Sequence, residues 1–206
     1  MISVVMAVGP KRKEQLTKTL YSIRTLNTDV EYEVICVLDR QTPSFLPVLD
    51  EVTYLQFERD PSWKGWCNPA SVLNYGIKNA PGEFLILQNP ENLHCSENNL
   101  SRAVAHISTD PMVCVLGSCA AWKQDETFDS WYCHSAHRKV MWPFFMALRK
   151  EHVLAVGGFN ETFMDYGNED VEFAQKLEAH GMKFLWDDSI RVAHQWHAGT
   201  GTGNLT

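Results

Sequence analysis

Absences narrow this 206-residue chain first. Its six cysteines, at 36, 67, 95, 114, 119 and 133, include no C-x-x-C pair. That argues against a zinc ribbon, and a chain of this length needs no disulfide staples. The thiols read as mostly reduced and buried, as in a cytosolic protein. No long basic run occurs and the net charge is −7, which disfavours sequence-independent binding to nucleic acid. One small phosphate-bearing ligand at a single site remains compatible with that charge. No apolar run reaches membrane-spanning length. The N-terminus, "MISVVMAVGPKRK", puts its apolar part before its charges, the reverse of a secretory signal. A cytoplasmic protein with no membrane span is therefore expected. Internal repeats, interdomain linkers, a G-x-G-x-x-G fingerprint and a P-loop are also missing. The C-terminal "GTGTG" does not sit between a strand and a helix, and reads as a tail.

What is present is a core. Hydrophobic residues make up 45% of the chain, enough for one domain over residues 1–206. Residues 2–8, "ISVVMAV", form a continuous apolar run, largely β-branched, that stops at Gly9-Pro10. This predicts a strand buried on both faces, as in a parallel sheet. "KRKEQLTKTLYSIRTL" then spaces Leu16, Leu20, Ile23 and Leu26 as one helical face, and "YEVICVLD" is a second buried strand ending at Asp39. Strand, helix, strand is a βαβ unit with a right-handed crossover.

Further strands are predicted at "VTYLQFE", "EFLILQ", "MVCVLGSCAAW", "KFLW" and "IRVAHQWH". Helices are predicted at "PASVLNYGIKNA", at "SENNLSRAVAHIS" with Ser96 as its cap, at "RKEHVLAVGGF" up to Gly157-Gly158, and at "NEDVEFAQKLEAHG", closed by Gly181. Residues 59–68 read as a loop, and residues 123–145 show no clean period. The result is an α/β domain with a mainly parallel, mixed central sheet flanked by helices. Ligands of such sheets bind beyond the carboxyl ends of the strands, where Gly9, Asp39 and Asn89 fall.

Chemistry-bearing residues cluster at a few places. "QNPENLH" ends a buried strand in polar groups. Glu91 there is a hard oxygen ligand, while Gln88 and Asn89 can bond a ribose; with phosphate oxygens the set suits Mn2+ or Mg2+. The competing reading is an ordinary strand-to-turn junction, since Asn-Pro signals a turn. Asp39 can cap its own turn or accept a bond from a base or ribose. Glu169 and Asp170 suit the first turn of a helix, and one of them could act as a general base. His194 and His197 stand three apart; in a strand that means opposite faces, so one of them at most would complete an ion site begun by Glu91. Trp63, Trp66, Trp131, Trp142 and Trp196 suit either packing or a platform for sugar rings and bases.

Taken together the segments resemble a glycosyltransferase of the GT-A fold, family 2-like, over nearly the whole chain. "SVVMAVGPKRKEQLTKTLYSI" and "VICVLD" resemble the family's opening strand, helix and second strand. "SVLNYGIKNAPGEFLILQNPE" is similar to the stretch leading into the Asp-x-Asp metal motif. "VGGFNETFMDYGNEDVEFAQKLEAHGMKF" resembles the Gly-Gly-Phe-Asp-Glu … Gly-Glu-Asp segment of galactosyltransferase-like and chondroitin-polymerase domains, and "VAHQWH" resembles their late metal-binding histidine.

The resemblance implies a nucleotide-sugar-binding half at about 1–95 and an acceptor-binding half at about 96–206. Donor contacts would come from Val8, Gly9, Asp39, Asn68, Asn74, Gln88 and Asn89. Glu91 would be the direct metal ligand, with His194 as the second and His197 behind it. Asp170 would be the base of an inverting transfer, and Glu169 would help bind the acceptor. The implied cofactor is Mn2+ or Mg2+, and the implied donor a UDP-sugar. The acceptor is open among a glycan, a lipid-linked sugar, a protein and a modified nucleobase, and a bacterial or phage source fits that range. Two departures stand out: Asn89 replaces the first Asp of the metal motif, and Asn168 replaces the glycine before Glu-Asp. A catalytically weak sugar-nucleotide binder and a nucleotidyltransferase are the rival expectations.

Overall fold

The structure, a computed structural model, describes residues 1–9, 11–40, 46–59, 68–163 and 168–198. Trp63, Trp66, Cys67 and the "GTGTG" tail lie outside the described residues.

The first strand, β1 (Ile2–Val8), lies between β2 (Tyr32–Asp39) and β4 (Phe84–Leu87), and pairs with both in parallel. Both its faces are covered, which explains the unbroken apolar run. β3 (Val52–Phe57) extends the parallel set beyond β2. The helices α1 (Lys13–Leu26) and α2 (Ala70–Asn79) make the crossovers. Leu16, Leu20 and Ile23 of α1 are buried in one apolar cluster; Ala70, Val72, Leu73 and Ile77 of α2 are buried in a second, with Val5 and Ile35 of the sheet. Helix α2 approaches the sheet closely at Gly76, where an added Cβ would sit 2.6 Å from Val5 Cγ1 and 2.8 Å from Val37 Cγ2.

The rest of the chain builds the other half of one nine-stranded sheet. It contains β5 (Asn92–His94), α3 (Asn99–Thr109), β6 (Val113–Trp122), β7 (Phe128–Cys133), β8 (Met146–Arg149), α4 (Lys150–Ala155), α5 (Glu169–Ala179) and β9 (Lys183–His194). The order is β3-β2-β1-β4-β8-β6-β9-β5, with β7 paired to β6. Helix α3 joins the cluster of α1, while Phe173 and Leu177 of α5 join that of α2. Helices therefore cover both faces of the sheet.

The sheet is parallel over β3-β2-β1-β4 and at β6–β9, while β8, β7 and β5 pair antiparallel, so it is mixed and mainly parallel, as expected. Other expectations change. The segment without a clean period contains β7, whose Phe128, Asp129 and Ser130 are exposed, so the inward half of a strand alternation is missing there. The helix expected from Arg149 starts at Lys150 and is preceded by the short strand β8, which no pattern in the sequence predicts. The two late strands are one, β9, interrupted by a register shift: Gly117 pairs with Asp187, but Ser118 pairs with Arg191. Asp187 Oδ1 accepts from the backbone N and Oγ of Ser189 at 2.9 and 2.6 Å, which turns the chain locally at that irregularity. Ser96 does not cap α3. Its hydroxyl donates to Ser189 O at 3.0 Å and accepts from Arg191 N at 2.9 Å, while Asn27 Oδ1 accepts from Leu100 N at 3.0 Å in the first turn.

The parallel register brings the functional segments to one edge. Val8 pairs with Leu38, Asp39 with Phe57, and Val5 with Leu87, so Gly9, Asp39 and the Asn89–Glu91 turn all leave the sheet at the same end. That edge is where this topology places a ligand.

Candidate functional site

Asp39 ends β2 at 3% exposure. A buried carboxylate needs a partner, and Arg59, just after β3, supplies one: its Nε donates to Asp39 Oδ1 at 2.8 Å. Arg59 Nη2 also donates to Asn68 O at 3.0 Å. Asn68 stands just before α2, its Oδ1 accepting from Ala70 N at 2.8 Å. Its Nδ2 donates to Glu169 Oε2 at 3.1 Å. A continuous chain of bonds thus runs Asp39–Arg59–Asn68–Glu169, from the end of β2 to the first turn of α5. Beside it a cavity of about 170 Å³ is lined by Phe57, Arg59, Asn68, Ser71, Glu161 and Phe163, among others.

Glu169 is 2% exposed. Its neighbour Asp170 is partly buried at the same helix start. Burial first, and the Glu169 charge second, push the Asp170 carboxyl up from 3.8 to about 7. The pair therefore has the property asked of a general base, a proton affinity matched to neutral pH.

The second group forms around Glu91. Asn92 pairs with His194 in the β5–β9 ladder, which brings the Glu91 turn beside the end of β9. Glu91 O accepts from Gln195 N at 3.0 Å and from Gln195 Nε2 at 3.1 Å. Gln195 Nε2 also reaches Gln15 O at 3.1 Å and Thr19 Oγ1 at 3.0 Å on α1. These bonds turn the chain out of extended geometry after His194. The expectation of opposite faces for the two histidines consequently fails: their rings stand 5.2 Å apart. His197 Nε2 lies 3.8 Å from Glu91 Oε1, while His194 packs against Tyr132 and Phe144 and is not in ion-pair range of Glu91. Burial, above all, lowers the His194 pKa; Glu91 raises it, and His197 and Arg12 lower it.

The carboxylate of Glu91 is itself paired with Arg12, whose Nε donates to Oε1. Among the described residues no three His, Cys, Asp or Glu side chains are grouped to hold a metal ion. The donor types nevertheless fit a divalent cation that takes its remaining ligands from phosphate oxygens: one carboxylate, one imidazole close to it and a second imidazole a ring away. Mixed oxygen and nitrogen ligands suit Mn2+ better than Mg2+.

The other expected donor residues separate. Val8 is buried at the end of β1 and Gly9 follows it at the strand edge. Asn89 lies in the Glu91 turn, its carbonyl accepting from Asn92 N at 3.1 Å. Gln88 faces inward, with Nε2 donating to Asn92 O at 3.2 Å and Oε1 3.0 Å from His94 Nε2. Asn74 is committed to the Gly-Gly-Phe turn: Nδ2 donates to Phe159 O at 2.8 Å and Oδ1 accepts from Phe159 N at 2.9 Å. Gly158 sits at φ +67 against that side chain, where a Cβ would meet Asn74 Oδ1 at 2.4 Å. Both amides are thus bonded within the protein. Two residues passed over in the sequence, Arg12 and Arg59, hold the two carboxylates at the strand ends. Both lie in loops immediately after strands, and a basic residue at that edge was the available signal.

Comparison with known proteins follows the same lines. The family model described as the N-terminal domain of galactosyltransferase matches residues 126–195. No curated protein matches the chain. Among solved structures, GalNAc-T7 with UDP, GalNAc and Mn2+ is similar at TM-score 0.74 and 18% identity, covering 100% of this chain and 45% of that one. Staphylococcus aureus TarS 1–349 is similar at TM-score 0.68 and 17% identity, covering 94% and 60%. The mannosyltransferase PcManGT from Pyrobaculum calidifontis, in complex with GDP-Man and Mn2+, is similar at TM-score 0.63 and 17% identity, covering 93% and 56%. The chain thus spans about half the length of the structures it matches. Its α/β architecture with a mixed sheet is the GT-A fold, and the proteins that share it here are glycosyltransferases.

Proposed function

We propose that this chain is a family 2-like glycosyltransferase. It moves a hexose or N-acetylhexosamine from a nucleoside-diphosphate sugar, UDP-linked by first choice, to an acceptor hydroxyl with inversion. The observation that carries the proposal is Asp170: a partly buried carboxylate raised to about 7, joined through Glu169 and Asn68 to the strand-end carboxylate Asp39. Asp170 takes the acceptor proton as the acceptor oxygen attacks the anomeric carbon, and the nucleoside diphosphate leaves from the opposite side. Glu169 raises the proton affinity of Asp170 and holds Asn68 in place. Residues 1–95 serve the donor, with Asp39 toward base or ribose, and residues 96–206 serve the acceptor. A divalent cation, Mn2+ or Mg2+, held by Glu91 with His197 or His194, would supply positive charge to the departing diphosphate. Neighbours bound to UDP with Mn2+ and to GDP-Man with Mn2+ support that assignment.

The acceptor is a glycan, lipid-linked sugar, protein or modified nucleobase. No helix among the described residues is long and apolar enough to cross a membrane. A reducing, cytoplasmic setting belongs to the same proposal, supported by five free thiols among the described residues, four of them buried.

A thermal-shift panel of nucleotide sugars with and without Mn2+ tests donor and metal together, since stabilisation grows with ligand concentration over Kd. Asp170→Asn should keep that shift and lose transfer; full transfer by Asp170→Asn would refute the base assignment. One observation favours a second reading, a catalytically weak sugar-nucleotide binder: Glu91 is neutralised by Arg12 and Asn89 carries no charge. UDP release from a UDP-sugar in the presence of Mn2+ separates the two, because a binder releases none.

A further inference from the structure

Arg12 stands at the start of α1, in the loop leaving β1, and is 8% exposed. Its guanidinium is paired with Glu91, itself 7% exposed, and the same carboxylate oxygen lies 3.8 Å from His197 Nε2. Glu91 is fixed from behind by two bonds from Gln195 to its carbonyl. Stability does not account for the pair: a buried ion pair gains little over apolar residues of the same volume. Chemistry offers a better account. A guanidinium binds phosphate as well as it binds carboxylate, with the same forked geometry. Arg12 and Glu91 both sit at the strand-end edge, where this topology receives its ligand.

On the reading that the donor is a nucleoside diphosphate and that its cation uses Glu91, we propose that Arg12 is a phosphate-binding residue stored on Glu91. The diphosphate takes the guanidinium and the cation takes the carboxylate, in one exchange. A divalent cation arriving alone meets Arg12 on Glu91, the one carboxylate of this group among the described residues. A diphosphate arriving with it removes that obstacle and offsets the added charge. Cation and nucleotide therefore bind cooperatively, each raising the affinity for the other by the same factor.

The test measures Mn2+ alone by electron paramagnetic resonance, and UDP and GDP with and without Mn2+ by calorimetry. The proteins are the wild type, Arg12→Gln and Arg12→Lys. Arg12→Gln should bind Mn2+ alone at least about tenfold more tightly than the wild type, and nucleoside diphosphate with Mn2+ about tenfold to a hundredfold more weakly. Arg12→Lys keeps Glu91 partnered but loses the fork, and should weaken the nucleotide complex while leaving Mn2+ binding alone near the wild-type value. Unchanged nucleotide affinity in both variants, or no gain in Mn2+ affinity in Arg12→Gln, overturns the exchange. If Arg12→Gln does not fold, Arg12→Lys decides, and its binding the nucleotide as tightly as the wild type overturns the exchange. A wild type that binds neither UDP nor GDP in the presence of Mn2+ overturns the donor reading instead.

Discussion

Asp170→Asn should make the protein more stable as well as inactive, and the gain should depend on pH. The rise of the Asp170 pKa from 3.8 to about 7 means that the folded chain holds this proton more tightly than the unfolded chain. Between those two values the folded state binds more protons, so this group's contribution to stability falls as pH rises through the window. At about 1.4 kcal/mol per unit of pKa, the ionised carboxylate costs the fold up to about 4 kcal/mol above pH 7, and almost nothing below pH 4. Asparagine is close in shape and never ionises. Urea denaturation of both proteins at pH 4.5 and pH 8 isolates the effect of the Glu169–Asp170 pair, since titrating groups remote from it cancel in the difference. The stability advantage of Asp170→Asn should grow between the two pH values by a few kcal/mol. Transfer should fall by roughly a hundredfold or more, the usual value of a general base. Wild-type transfer should rise through an apparent pKa near 7 that belongs to the Glu169–Asp170 pair. A stability difference that is the same at both pH values would refute the idea that the carboxylate is held in a site that disfavours its charge.

Three further outcomes follow from other contacts. Arg59→Gln leaves Asp39 buried without its partner and should cost about 3–5 kcal/mol in urea denaturation; adding Asp39→Asn should recover part of that loss, and no recovery would show that the pair is not coupled. Gly76→Ala drives a methyl into Val5 and Val37 and should cost about 1–3 kcal/mol by the same assay, with an unchanged midpoint counting against tight packing of α2 on the sheet. Gln195→Leu removes the side-chain donor shared by Gln15 O, Thr19 Oγ1 and Glu91 O and should cost about 1–3 kcal/mol. In that variant hydrogen exchange at the Gln195 amide should quicken; exchange at the wild-type rate would mean the side chain does not anchor the Glu91 turn.

Much of this fold is written locally. The run at Ile2–Val8 and the spacing of Leu16, Leu20 and Ile23 each report burial of one element, and burial is what hydrophobic pattern encodes. The strand ends then mark the ligand edge, because parallel strands joined by crossovers must finish on the same side. β7 escaped because its exposed first half leaves no alternation to read, and β8 because its three apolar residues and Arg149 run directly into a helix.

The candidate site divides in the same way. Asp39, Glu91, Glu169, Asp170 and the two histidines could be nominated from residue type and position at element ends. Their partners could not. Arg59 reaches Asp39 across 20 residues, and Arg12 reaches Glu91 across 79. Gln195 fastens the Glu91 turn to α1 over separations above 100 residues, which is also what turns His197 toward Glu91. The sequence by itself determined the parallel strands, the helices and the edge at which polar groups gather, because those depend on periodicity within a few residues. Only the tertiary structure decided which cation each buried carboxylate holds and which histidine approaches Glu91, because long-range pairing is set by how the sheet and helices pack and leaves no local pattern in the chain.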